Sequence, residues 1–100
     1  SDYVVRLVLA THPESERATP MVKRYVRYGV SPRGAQAIVL GAKIRALMEG
    51  RLNVAFEDVR AVALPALRHR IILNFEAEAS GLTADDVLRA LIEEVPESAA

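Results

Sequence analysis

One hundred residues with thirteen basic and thirteen acidic side chains carry no net charge, and 51% of them are apolar while only 5% are aromatic. That bounds the chain to one helix-leaning domain with a single core, too short for an enzyme with its own cofactor fold. It disfavours a stand-alone nucleic-acid binder, which would carry a basic surplus, and the lack of cysteine excludes disulfides and thiolate chemistry.

No apolar run approaches the roughly 18 residues that span a bilayer, and residues 1–10 lack the basic start and cleavage site of a signal peptide. With no cysteine, the expectation is a cytoplasmic protein with no membrane partner. No repeat or low-complexity tract is present.

Residues 2–11 place Val4, Leu7, Val8 and Thr11 at helical spacing, with Val5 and Leu9 widening the stripe, and His12-Pro13 ends that helix. A polar loop through residues 14–20 is expected to be the least ordered part and a surface for contacts outside the domain. Residues 21–28 admit two readings. Val22, Tyr25 and Val26 suit one face of a helical turn, whereas Tyr25, Val26 and Tyr28 suit a short strand running into Gly29. Lys23, Arg24, Arg27 and Arg33 form a basic run that is either a solvated face or one turned towards an anion.

Tyr28-Gly29-Val30-Ser31-Pro32-Arg33-Gly34 opens the longest predicted helix, residues 32–49. Ser31 is a good N-cap, Pro32 suits the first helical position, and Arg33 then stands beside free N–H groups at the positive end of the dipole. Such a start is suited to an anion, and a guanidinium adds a bidentate donor for phosphate. Ala35, Ile38, Val39, Ala42 and Ala46 line one face, and Ala37, Leu40, Ile44, Leu47 and Met48 much of the rest. A helix this apolar is expected to be packed on several sides, as the centre of the core. Gly50 ends it.

A second long helix starts near Phe56, with Glu57 and Asp58 placed by the dipole and a buried stripe of Val59, Val62, Ala63, Ala66 and Leu67. Pro65 is expected to kink it. Arg68-His69-Arg70 closes it, with His69 read as a capping or packing residue. Ile71, Ile72, Leu73 and Phe75 read as a short buried strand or extended run, with residues 24–28 as its partner, and residues 76–81 as loop. Thr83 caps a final helix whose apolar face is Val87, Leu88, Leu91, Ile92 and Val95. Pro96 ends it, and residues 97–100 are expected to fray.

The fold class is therefore mainly α, a small helical bundle of four main helices with a minor two-stranded β element. No GxxxxGK[ST] loop and no magnesium-holding acidic cluster occurs, and His12 and His69 belong to no zinc spacing or catalytic triad. By itself this segment is not an enzyme, and no catalytic residue or metal ligand is assigned.

Three ordered stretches resemble the C-terminal lid of AAA+ ATPases of the MoxR family. Tyr28 to Gly34 is similar to that family's GxSPR sensor-2 segment. Ala46-Leu47-Met48-Glu49-Gly50-Arg51 leads through Val54 to Glu57-Asp58-Val59 as the family's central region does. Leu67-Arg68-His69-Arg70-Ile71 resembles its LxHRI ending. The likeness covers nearly the whole chain, residues 1–100, as one lid domain of a longer ATPase.

The resemblance implies that Arg33 reaches the γ-phosphate of ATP, with Ser31, Pro32 and Gly34 forming the helix start near the nucleotide. It implies ATP with Mg2+ as the cofactor of the parent and none for the isolated domain. The implied partners are a large α/β ATPase domain of the same chain, a homo-oligomeric ring, and von Willebrand factor A-domain clients of a chaperone-like remodeller, with no nucleic acid. His12 stands where the family often has arginine. Two alternatives share parts of this pattern: the lid of a magnesium chelatase or helicase-type ring ATPase, and a histone-fold-like module that binds DNA as a dimer.

Overall fold

The computed structural model describes residues 2–98. Along the chain run α1 (Asp2–Ala10), α2 (Pro20–Tyr25), β1 (Val26–Tyr28), α3 (Pro32–Met48), α4 (Phe56–Leu67), β2 (Ile72–Leu73), α5 (Phe75–Ala79) and α6 (Ala84–Glu94). The four longer helices are those expected, and two short ones accompany them.

α3 and α4 pack against each other most extensively, α1 lies on α3, and α6 closes the bundle against α2 and α4. The core between them is Tyr3, Leu7, Ile38, Ala63, Leu67 and the Val87, Leu88, Leu91 face of α6, all essentially inaccessible. Their removal from water is the main favourable term holding the bundle. On α1 the buried side is Tyr3, Val4, Leu7 and Ala10, while Val5 and Leu9 are exposed. The predicted stripe was therefore too wide: Tyr3 turns in to meet Phe56 edge-on, with ring centroids 5.5 Å apart.

Residues 21–28 are both things in succession. Thr19 caps α2, its hydroxyl accepting from the Val22 amide at 3.2 Å, and Pro20 takes the first turn. Like Ser31-Pro32 it places proline in the first turn, but here the hydroxyl makes the capping bond. The chain then extends into β1, which pairs antiparallel with β2 through Val26–Leu73 and Tyr28–Ile72. The loop at residues 14–20 is not wholly a surface, because Ala18 and Thr19 are buried.

Two expectations are corrected. The segment around Ile71 is not a buried strand through Phe75: β2 has two residues, Ile72 is exposed, and Phe75 is exposed at the start of α5. Residues 76–81 are not all loop, since the Asn74 side chain accepts from the Ala77 amide at 3.0 Å and starts α5. Near the C-terminus Arg6, itself buried, donates to the carbonyls of Pro96 and Glu97, and Arg60 pairs with the Glu97 carboxylate. Residues 99 and 100 lie outside the described residues.

The largest difference concerns α3. Only Gly34, Ile38, Ala42 and Ala46 are buried on it, whereas Leu40, Ile44, Leu47 and Met48 are 49–82% exposed. About half or more of each of these four side chains faces outward, so α3 is a wall of the bundle and not its centre. Pro65 sits inside α4, which continues to Leu67 because the apolar packing of Ala63 and Leu67 outweighs one missing amide. Gly50, with φ of 75°, closes α3: the Arg51 amide reaches the Ala46 carbonyl at 2.8 Å and the Gly50 amide that of Leu47 at 3.0 Å. This is the Schellman arrangement, which satisfies carbonyls the helix leaves open.

Candidate nucleotide-facing groove

The start of α3 is fixed from behind by the end of α1. Thr11 Oγ1 accepts from the Val30 amide at 2.9 Å while donating to the Val8 carbonyl at 2.6 Å, and His12 Nε2 donates to the Val30 carbonyl at 2.7 Å. Both polar groups of one extended residue are therefore held by two consecutive residues of another element. Gly29 permits the approach, since a Cβ there would stand 2.7 Å from the Thr11 carbonyl oxygen. His12 has a structural role at this seam, where the resemblance left its position unexplained.

Gly34 has the matching role towards α4. A Cβ on it would lie 1.9 Å from Val30 Cγ1 and 3.2 Å from Leu67 Cδ2. Gly34 is buried, so it serves helix packing and faces away from solvent. Ser31, Pro32 and Arg33 are exposed on the opposite side. Ser31 takes the N-cap position with φ −76° and ψ 170°, but its hydroxyl makes no capping bond; its carbonyl accepts the Gly34 amide at 2.9 Å. The expected side-chain cap is thus absent, and the Ser31 hydroxyl is free for other contacts.

In front of this helix start lies an open groove of about 720 Å³. Residues Ser31, Pro32, Arg33, Gln36 and Leu40 of the α3 start line it together with Arg70, and no carboxylate does. Lys23, Arg24 and Arg27, which are close to Arg33 in sequence, go elsewhere. Arg24 pairs with Glu76 at 3.1 Å, Arg27 lies over the Tyr28 ring, and none of the three lines the groove. The cation that shares it is Arg70, from the LxHRI-like stretch. Sequence reasoning used that stretch only as a signature and passed over Arg70 as a site residue.

The same stretch divides its work among neighbours. Leu67 fills the core and Arg68 grips Asp85 at the start of α6 through Nε–Oδ1 at 3.1 Å and Nη2–Oδ2 at 2.9 Å. His69 is exposed and makes no hydrogen bond or ion pair among the described residues. Asp58 also departs from its expected part. It is fully buried, accepting from Arg51 Nη1 at 2.6 Å and Nη2 at 2.7 Å, Arg45 Nη1 at 2.6 Å and the Ala55 amide at 2.7 Å. The Arg51 fork, then the Ala55 N–H and Arg45, hold its carboxyl well below the ordinary carboxylate range against the opposing effect of burial. Glu49, Glu57 and Asp58 approach one another, but Asp58 already has two guanidiniums as its partners.

The family follows from comparison. Residues 18–91 match the AAA lid domain. The chain belongs to the AAA lid domain family. It is 36% identical over 94 residues to the chaperone MoxR1 of Mycobacterium tuberculosis, covering 94% of this chain and 25% of that protein. It is 51% identical over 51 residues to the MoxR protein of Paracoccus denitrificans, covering 51% of this chain and 15% of that one. A crystal structure from Cytophaga hutchinsonii, assigned as an ATPase, superposes with a TM-score of 0.89 at 36% identity over 95% of this chain and 29% of that one. The lid thus spans about a quarter of the length of the MoxR1 chaperone. The MoxR resemblance is borne out, and with it the mainly helical fold; the histone-fold alternative gives way to the lid. Among the described residues, no helix of the lid is long and apolar enough to cross a membrane.

Proposed function

We propose that this lid covers the nucleotide of a MoxR-type AAA+ ATPase, with Arg33 reaching the γ-phosphate and Ser31, Pro32 and Gly34 shaping the helix start beside it. The observation that carries this reading is the groove itself. Arg33 stands there exposed, with no carboxylate within ion-pair reach among the described residues, next to a hydroxyl that makes no cap. The triphosphate of ATP fits such a site chemically, because a guanidinium offers two parallel donors to phosphate oxygens.

The exposed face of α3 supports a lid as well. Leu40 borders the groove, and Ile44, Leu47 and Met48 continue its apolar line along the helix. An apolar face that begins at a nucleotide groove suits coverage by the large α/β domain of the same protein. Arg33 would then bind ATP more tightly than the diphosphate, and hydrolysis would change the free energy of lid docking. In this reading Mg2+ and the catalytic residues belong to the large domain, subunits assemble as a ring, and clients with von Willebrand factor A domains are its substrates.

Steady-state ATP turnover by the full-length protein, with and without Arg33→Ala, tests it. Loss of most of the rate in a folded variant supports the lid reading. A variant as fast as wild type removes Arg33 from the mechanism.

A further inference from the structure

Arg70 is the groove's second cation, and its setting is unlike that of its neighbour Arg68. Arg68 is committed to Asp85 by a bidentate pair. Arg70 Nε donates to the Ala66 carbonyl at 2.9 Å, a bond that anchors the root of the guanidinium at the end of α4. Its Nη atoms have no partner among the described residues, and no carboxylate lies within ion-pair reach. The chain has thirteen acidic residues, yet none lines this groove.

Two guanidiniums facing one groove without a carboxylate repel each other unless an anion enters. Their spacing is set by the core: Gly34, next to Arg33, packs close to Leu67, three residues before Arg70. The first turn of α3, which carries Arg33, and the turn after α4, which carries Arg70, are therefore joined through the buried neighbours Gly34 and Leu67. A groove of this size with two planar donors suits an extended polyanion better than a single carboxylate.

We propose that Arg70 is a second polyphosphate-binding residue, acting with Arg33 on the same nucleotide. The proposal rests on the lid reading above and adds to it a residue from the turn that follows α4. Phosphate bound by both guanidiniums would hold the start of α3 and the turn after α4 in one register.

The test uses the full-length protein and measures dissociation constants for a slowly hydrolysed ATP analogue, for ADP, and for inorganic tripolyphosphate. Arg33→Ala, Arg70→Ala, Arg70→Gln, Arg70→Lys and, as a control on an exposed arginine elsewhere, Arg17→Ala are compared. Arg70→Ala and Arg70→Gln should each weaken the ATP analogue roughly ten- to hundredfold, the scale of a lost charge-assisted bond. Tripolyphosphate should weaken in parallel, Arg70→Lys should recover part of the loss, and Arg17→Ala should match wild type. If Arg70→Ala does not fold, the lysine and glutamine variants carry the comparison, with unfolding midpoints measured without nucleotide. Wild-type affinity in a folded Arg70→Gln variant, with Arg33→Ala still weakened, overturns the Arg70 assignment and leaves the lid reading standing. Wild-type affinity in both overturns the two together. Weakened nucleotide binding with unchanged tripolyphosphate binding also overturns it, because the lost contact is then not to phosphate.

Discussion

The Val30 amide donates to Thr11 Oγ1 at 2.9 Å, and this buried bond ties the end of α1 to the residue that precedes Ser31-Pro32-Arg33. The hydroxyl is inaccessible, so no water replaces it when it is removed. Thr11→Val keeps the shape but orphans the amide, which costs about 1–3 kcal/mol. Thermal unfolding of the chain should show a midpoint lower by roughly 5–15 °C. In the full-length protein the same change should weaken ATP binding, because the seam that aims Arg33 is loosened. An unchanged midpoint would separate the seam from the stability of the lid.

Gly34→Ala tests the α3–α4 contact. The added methyl meets Val30 and Leu67, both buried, so relief needs a shift of the helix. Overpacking of this kind costs about 1–3 kcal/mol. Calorimetry should show destabilisation in Gly34→Ala and much less in Gly50→Asn, where space is open and asparagine tolerates the positive φ.

α3 offers an internal control on which face is structural. Leu47→Ser and Met48→Ser should change the stability of this chain by no more than about 0.5 kcal/mol, the usual range for surface sites. Ile38→Ala, on the opposite face, should cost about 2–5 kcal/mol. Equal losses on both faces would mean that the outer face is packed in solution.

Asp58 makes acid stability predictable in sign. Its folded carboxyl titrates below the ordinary value because of Arg51, the Ala55 N–H and Arg45, and that of Asp86 is also lowered, first by the Thr83 N–H. Stability from a depressed carboxyl is fully present above the unfolded value and is lost as pH falls through the folded one. The unfolding midpoint should therefore hold above about pH 5 and fall steadily below it. Asp58→Asn should lower the midpoint at neutral pH by more than roughly 10 °C, since it leaves two guanidiniums facing a neutral amide. Its acid slope should be shallower than that of the wild type. A wild-type slope in this variant would shift the effect to other carboxyls.

Much of the fold was legible because its signals are local. The Val87, Leu88, Leu91 face of α6 and its Thr83 cap, the Gly50 stop and the Val59, Ala63, Leu67 stripe each follow from spacing within a few residues. α5 was missed because five residues behind an asparagine cap show no period. α2 was left open because Thr19-Pro20 starts a helix that lasts only six residues before the chain extends.

By itself the sequence determined the four long helices, the Thr83 cap, the Gly50 stop and the exposed Arg33 at the start of α3, because hydrogen-bonding needs and apolar spacing act between near neighbours. Tertiary structure alone decided which neighbours from afar meet. It gave Asp58 to Arg51 and Arg45, Arg24 to Glu76, and Arg70 to the groove of Arg33. It also left Leu40, Ile44, Leu47 and Met48 uncovered. The physical reason is the same in each case: a charge or a methyl group carries no record of its partner along the chain, and its burial depends on how elements distant in sequence pack together.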